Sequence, residues 1–192
     1  MFEALGGIGA ALGLAGSAGL NAYIPLLLVA LAARFPLESP LLQLSEPYDL
    51  MGSWWAIGIL VVLLLIEMTV DKIPAVDTIN DIIQTFVRPT AGAILFAANA
   101  SVVTDIHPVL ALVAGLILAG SVHTAKGAVR PFVTATTGGT GNWFVSLVED
   151  IVAFFVSLLA ILLPILAGLI AVALAVWLFR VYRRRQQRSV AA

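Results

Sequence analysis

Three carboxylates lie where an apolar chain rarely keeps them. Glu67 falls about one turn before the end of a hydrophobic stretch over 52–71. Glu149 and Asp150 lie about 10 Å, two turns, inside another stretch that begins at 142. A carboxylate in hydrocarbon costs roughly 2.5–3.5 kcal/mol on insertion scales, so such a group pairs with a cation or faces a watered cavity. Together with Asp71 and Asp81 they form a candidate acidic pocket, with Lys72, Lys126 and Arg130 as counter-charges. That set could hold a cation, pass a proton or grip a polar headgroup. For Asp71, Lys72, Asp77, Asp81, Lys126 and Arg130 the simpler reading is a wet interfacial position with snorkelling stems. Glu67, Glu149 and Asp150 do not fit it, because they lie inside apolar spans.

Other chemistry is poorly supplied. With no cysteine there is no thiolate chemistry or disulfide framework. No catalytic or metal-binding pattern of the His-Glu-x-x-His or nucleophile-elbow type occurs, and Thr136-Thr137-Gly138-Gly139-Thr140-Gly141 lacks the Gly-Lys-Ser/Thr ending of a P-loop. The expectation is therefore no enzyme, no cofactor and no metal. His107, between Asp105 and Pro108, reads as a turn cap. His123 reads either as a proton relay or as a hydrogen-bonded packing residue.

The elements that must position these groups are set by composition. Of 192 residues, 61% are hydrophobic and 11% charged, with mean hydropathy +1.06. Twenty-one acidic and basic side chains cannot cover a globule of this size, which excludes a soluble enzyme, a nucleic-acid binder and a disordered chain. The class is an all-α polytopic membrane protein, one transmembrane domain over 1–192. Spans of about 20 apolar residues are expected at 4–33, 52–71, 89–105 and 108–125, with two more sharing 142–182 across Pro164, six in all. Six spans with both termini cytoplasmic put nine Lys and Arg residues inside (Lys72, Arg88, Lys126, Arg130 and five in the tail) against Arg34 outside. A bacterial cytoplasmic membrane is the expected location. Ala30-Leu31-Ala32 resembles a signal cleavage site, but no Lys or Arg precedes it.

Between spans two and three, Val76, Ile79, Ile82, Ile83 and Phe86 repeat at helical spacing, which predicts an amphipathic helix over 76–88 lying on the inner surface. The segment 126–141 reads as an inner loop. Gly19, Asn21 and Pro25 interrupt the first span: either a glycine ridge packs tightly on neighbours, or the helix breaks at a site. Leu14-Ala15-Gly16-Ser17 recurs as Leu118-Ala119-Gly120-Ser121, and Gly52-Ser53-Trp54-Trp55 as Gly141-Asn142-Trp143-Phe144. A second register aligns 76–83 with 145–152, so the correspondence is ambiguous. Three spans per half (1–105 and 106–182, before a basic tail over 183–192) would make the halves inverted, the arrangement of many secondary transporters.

The stretch Glu67-Met68-Thr69-Val70-Asp71-Lys72-Ile73-Pro74-Ala75-Val76-Asp77, with Thr85-Phe86-Val87-Arg88-Pro89-Thr90-Ala91-Gly92, resembles a bacterial membrane family catalogued as domain of unknown function 4126. Gly19-Leu20-Asn21-Ala22-Tyr23-Ile24-Pro25 and Leu147-Val148-Glu149-Asp150 are similar to that family's other recurrent segments. The resemblance implies a multi-span membrane protein and names no activity, so no residue role is carried over. The functional expectation is a small transporter or channel-like protein with an acidic site near the cytoplasmic face, substrate unknown. The alternative is a non-transporting scaffold that organises lipid or a partner. Expected partners are membrane lipids, with anionic headgroups at the arginine tail. A single copy of this length encloses little, which admits a homodimer; nucleic acid is not expected.

Overall fold

The computed structural model describes residues 2–36, 38, 41–70, 74–99, 106–138 and 141–190. These form seven α-helices: α1 (Phe2–Ala18), α2 (Tyr23–Arg34), α3 (Trp54–Val70), α4 (Pro74–Asn99), α5 (Pro108–Thr137), α6 (Gly141–Leu162) and α7 (Pro164–Val190), with a short 3-10 turn at Tyr48–Gly52. Large apolar side chains are exposed along the outer faces, among them Ile59 and Leu65 of α3, Ile117 of α5, Phe155 of α6 and Leu174 of α7. The all-helical class is the expected one. Among the described residues, three helical segments (Pro108–Thr137, Gly141–Leu162 and Pro164–Val181) are long and apolar enough to cross a membrane, which marks a membrane protein.

Small residues let the helices approach closely. A methyl added to Gly92 of α4 would overlap Ala119 of α5, and one on Gly115 of α5 would overlap the α4 backbone at Gly92. Gly13 of α1 abuts Ala160 and Ala167, and Gly9 abuts Pro164 and Gly168. Backbone proximity of this kind replaces the hydrophobic drive that lipid does not supply between helices. It makes α1, lined by buried Ala11, Leu14, Ala15, Ser17 and Ala18, the axis of the bundle.

Contacts fix the directions. α1 runs against α6, with Ser17 facing Ser157 and Gly13 facing Ala160, and against α4, where Gly92 nears the Ala15 carbonyl. It runs alongside α5: Ala11 and Ala15 cluster with Ala111, while Gly19 meets Ala119 and Val122. One end of the bundle, the loop end, holds the start of α1, the end of α4, the start of α5 and the 3-10 turn, whose Tyr48 packs on the Ala11, Phe96 and Ala111 cluster. The other, the turn end, holds the α5–α6 connection, where Thr134 and Asn142 exchange side-chain hydrogen bonds at 3.0–3.1 Å.

Residues 4–33 depart from the expected single crossing. α1 stops at Ala18, and α2 returns to the loop end: Ala33 lies beside Gly52, and the Arg34 guanidinium sits 4.9 Å from the Trp54 ring centroid. α3 then descends from Trp54 to Glu67. The segment enters, breaks and comes back. The cause is local, because Asn21 and Pro25 suit a helix start and not a helix interior.

Two other expectations are corrected. The helix expected on the membrane surface over 76–88 is the first half of α4, which continues through Pro89. Its apolar face points outward, with Ile82, Ile83 and Phe86 exposed, and its polar face inward, with Asn80, Gln84 and Arg88 buried. The apolar side chains face out of the bundle and the polar ones into it, so the usual sense of amphipathicity is reversed. The expected loop 126–141 is helical as far as Thr137, ending at Gly138 with φ 61° and its N–H bonded to the Thr134 carbonyl. The split of 142–182 at Pro164 is as expected: Leu163 donates to the Leu159 carbonyl at 2.8 Å and accepts from Ala167 at 3.0 Å, so a single residue joins α6 to α7. Leu14–Ser17 and Leu118–Ser121 lie on α1 and α5, which run the same way, so that register does not describe an inverted pair.

Candidate functional site

The break after α1 is organised by one side chain. With α1 ending at Ala18, the backbone turns through bonds from Leu20 and Asn21 to the Ser17 carbonyl (2.9 and 3.1 Å). Asn21 Oδ1 then accepts from the backbone N–H of Tyr23 (2.9 Å) and Ile24 (3.1 Å), satisfying the first donors of α2. Pro25, next in line, has no N–H to satisfy. With its oxygen committed, the Asn21 amide must present its NH2 outward, and it donates to Glu67 Oε2 at 2.6 Å and Asp150 Oδ1 at 2.9 Å.

Glu67 also accepts from Arg88 Nη2 at 3.1 Å, both side chains being essentially inaccessible (2% and 1%). On the far side of Arg88, Nη1 lies 3.5 Å from His123 Nδ1, and His123 Nε2 lies 3.2 Å from Thr85 Oγ1. A guanidinium only donates, so Nδ1 is the acceptor in this contact. Beyond Asp150, Glu149 pairs directly with Lys126 and lies 3.6 Å from Arg130 Nη2. Lys126 Nζ also donates to the Leu20 carbonyl just past the end of α1, at 3.1 Å. Gln84, one turn before Arg88 on the same face of α4, is fully buried.

The result is a buried charged cluster holding Glu67, Glu149 and Asp150 with Arg88, Lys126 and Arg130, gathered from α3 to α6 around the tip where α1 ends and α2 begins. Negative partial charge at the end of α1 faces Lys126, and positive partial charge at the start of α2 faces Glu67 and Asp150. Chemically it can exchange protons or bind ions. Glu149 and Asp150 are partly accessible, whereas Glu67 is sealed.

Of the expected site, Glu67, Glu149, Asp150, Lys126 and Arg130 come together, and Gly19, Asn21 and Pro25 lie at the break. Lys126 and Arg130 are buried in the cluster, which corrects their interfacial reading: Glu149 lies within reach, and pairing replaces water. Asp71 and Lys72 lie outside the described residues, as does the side chain of Asp81. His107 caps α5, its Nδ1 accepting from Val109 N at 3.2 Å. Among the described residues no group of three or more His, Asp or Glu is arranged to hold a metal ion. The sequence reading does not single out Arg88 or Gln84 as site residues. The signal present was the i, i+4, i+8 polar line Asn80, Gln84, Arg88 opposite the apolar face.

Comparison with known proteins gives a family and no function. The family model described as Domain of unknown function (DUF4126) matches residues 8–184. No curated protein and no solved structure matches the chain.

Proposed function

The chain belongs to that family, and since its description names no activity we propose, on the geometry, a small membrane transporter or channel-like protein whose site is this cluster. The observation that carries the proposal is the Asn21 amide, which joins Glu67 and Asp150 at the meeting point of two helix ends. Interrupted helices whose ends face charged groups are how transporters hold ions and polar substrates at depth. Partial exposure of Glu149 and Asp150 supports entry from the turn end. In this reading the turn end is cytoplasmic and the loop end, which carries Arg34 and the start of α1, faces outward. The start of α1 and the end of α7 then lie on opposite sides, instead of both termini being cytoplasmic as expected from the sequence.

One observation favours the alternative of a non-transporting scaffold: among the described residues the cluster's charges match, three carboxylates against three cations. The test uses the absence of native cysteine. Asp150→Cys should react with a charged, membrane-impermeant thiosulfonate applied from the turn end. Proteoliposomes with an entrapped pH dye should show proton or cation flux that Glu67→Gln abolishes in a still monodisperse protein. An unreactive Asp150→Cys variant, together with no flux under imposed proton, sodium or potassium gradients, would leave the scaffold reading.

A further inference from the structure

Lys126 occupies an unusual place. Its stem comes from the middle of α5, and its ammonium ends between a backbone carbonyl at the break, Leu20 O, and the Glu149 carboxylate. At broken helices, carbonyls past a helix C-terminus together with a nearby carboxylate are the oxygen donors that take a monovalent cation. Here the same donors take a compact ammonium. α1 closes its own bonds only as far as the Ser17 carbonyl, which accepts from both Leu20 and Asn21, so the Leu20 carbonyl projects beyond the ladder toward Lys126. The side chain is buried, so this is a fixed occupant and not a surface ion pair.

We propose that Lys126 is a built-in cation filling an alkali-cation site formed by the end of α1 and Glu149, so that the native protein needs no dissociable metal cation there. The inference rests on the transport reading only in its consequence: a coupling ion, if used, is not a sodium or potassium ion bound at this position. Among the described residues, the other charged groups acting on Lys126 include Arg88 from α4 and Arg130 from α5 itself. Arg88 donates to Glu67 at 3.1 Å, and Arg130 stands 3.6 Å from Glu149.

The test is thermal unfolding of the full chain in detergent, comparing sodium, potassium and N-methylglucamine chlorides at equal ionic strength. The wild type should melt at the same temperature in all three. Lys126→Ala should melt lower in N-methylglucamine and recover by roughly 3 °C or more as sodium or potassium rises to about tenfold its dissociation constant. Lys126→Ala with Glu149→Gln should lose that recovery. The proposal is overturned by alkali-specific stabilisation of the wild type, by a folded Lys126→Ala indifferent to the cation, or by a Lys126→Ala that no alkali salt restores. Alkali binding by Lys126→Ala with no flux through wild-type proteoliposomes would remove the transport reading and keep the site.

Discussion

Asn21 Nδ2 stands 2.6 Å from Glu67 Oε2, so a neutral amide, and not a cation, separates Glu67 from the second carboxylate at Asp150. The same residue's oxygen starts α2. Backbone conformation and electrostatics thus depend on one side chain, and its two halves cannot be exchanged without losing both roles.

Replacement of Asn21 should reveal this. Asn21→Asp keeps the cap for Tyr23 and Ile24 but sets a third carboxylate against Glu67 and Asp150. Asn21→Ala removes cap and bridge together and adds no charge. Loss of a buried hydrogen-bonding partner costs about 1–3 kcal/mol, while an uncompensated buried charge costs about 3–5 kcal/mol. Asn21→Asp should therefore be the less stable variant near neutral pH, measured by thermal unfolding in detergent. Equal stability of the two would mean that the carboxylates do not both face the amide.

The Glu67–Arg88 pair makes a second test. Glu67→Leu or Arg88→Leu alone strands a charge at a fully buried site and should destabilise by about 3–5 kcal/mol. The double variant strands neither and should lie closer to the wild type than either single change. If the double loss equals the sum of the singles, the two side chains are not coupled. In proteoliposomes the stable double variant should still lack any flux that the wild type shows, which separates folding from function.

How far the sequence could be read depends on which solvent each argument assumed. Glu67, Glu149 and Asp150 stand out because hydrocarbon makes a carboxylate costly wherever the fold places it. Arg88, Lys126 and Arg130 mislead, because a basic residue between apolar runs reads equally well as a loop residue. Counting all three as inside gave nine to one, and removing them as cluster members leaves six to one. The 76–88 segment shows the same ambiguity, since an amphipathic helix with lipid on one side and a polar cluster on the other has the pattern of one lying on a membrane surface. Gly19, Asn21 and Pro25 mark a break, but the pattern carries no information about whether the chain continues onward or turns back.

Glycine positions give a control for the packing. A methyl on Gly92 would overlap Ala119, and both sit on helix backbones that cannot yield easily, so Gly92→Ala should cost about 1–3 kcal/mol. Gly16, on α1, has nothing within 4 Å of an added methyl. Gly16→Ala should be neutral or stabilise by up to about 1 kcal/mol through helix propensity. Unfolding midpoints of the two variants, compared with the wild type, check the close α4–α5 approach; the reverse order would contradict it.

The return of α2 to the loop end has the sharpest consequence, because it changes which face the start of the chain shares. A continuous crossing over 4–33 would put Leu5 and the segment after Arg34 on opposite faces. The bundle instead puts Leu5 of α1, Leu41 and His107 at the loop end and Gly138 at the turn end. Leu5, Leu41, His107 and Gly138 are all exposed, and a chain without cysteine gives no background labelling. Single cysteines at these four positions, treated with an impermeant maleimide on intact and opened membrane vesicles of known orientation, read the arrangement directly. Positions 5, 41 and 107 should label from one face and 138 from the other. Labelling of 5 with 138, and of 41 with 107, would restore the single crossing. It would also remove the α1–α2 tip around which Glu67, Asp150 and Lys126 are gathered.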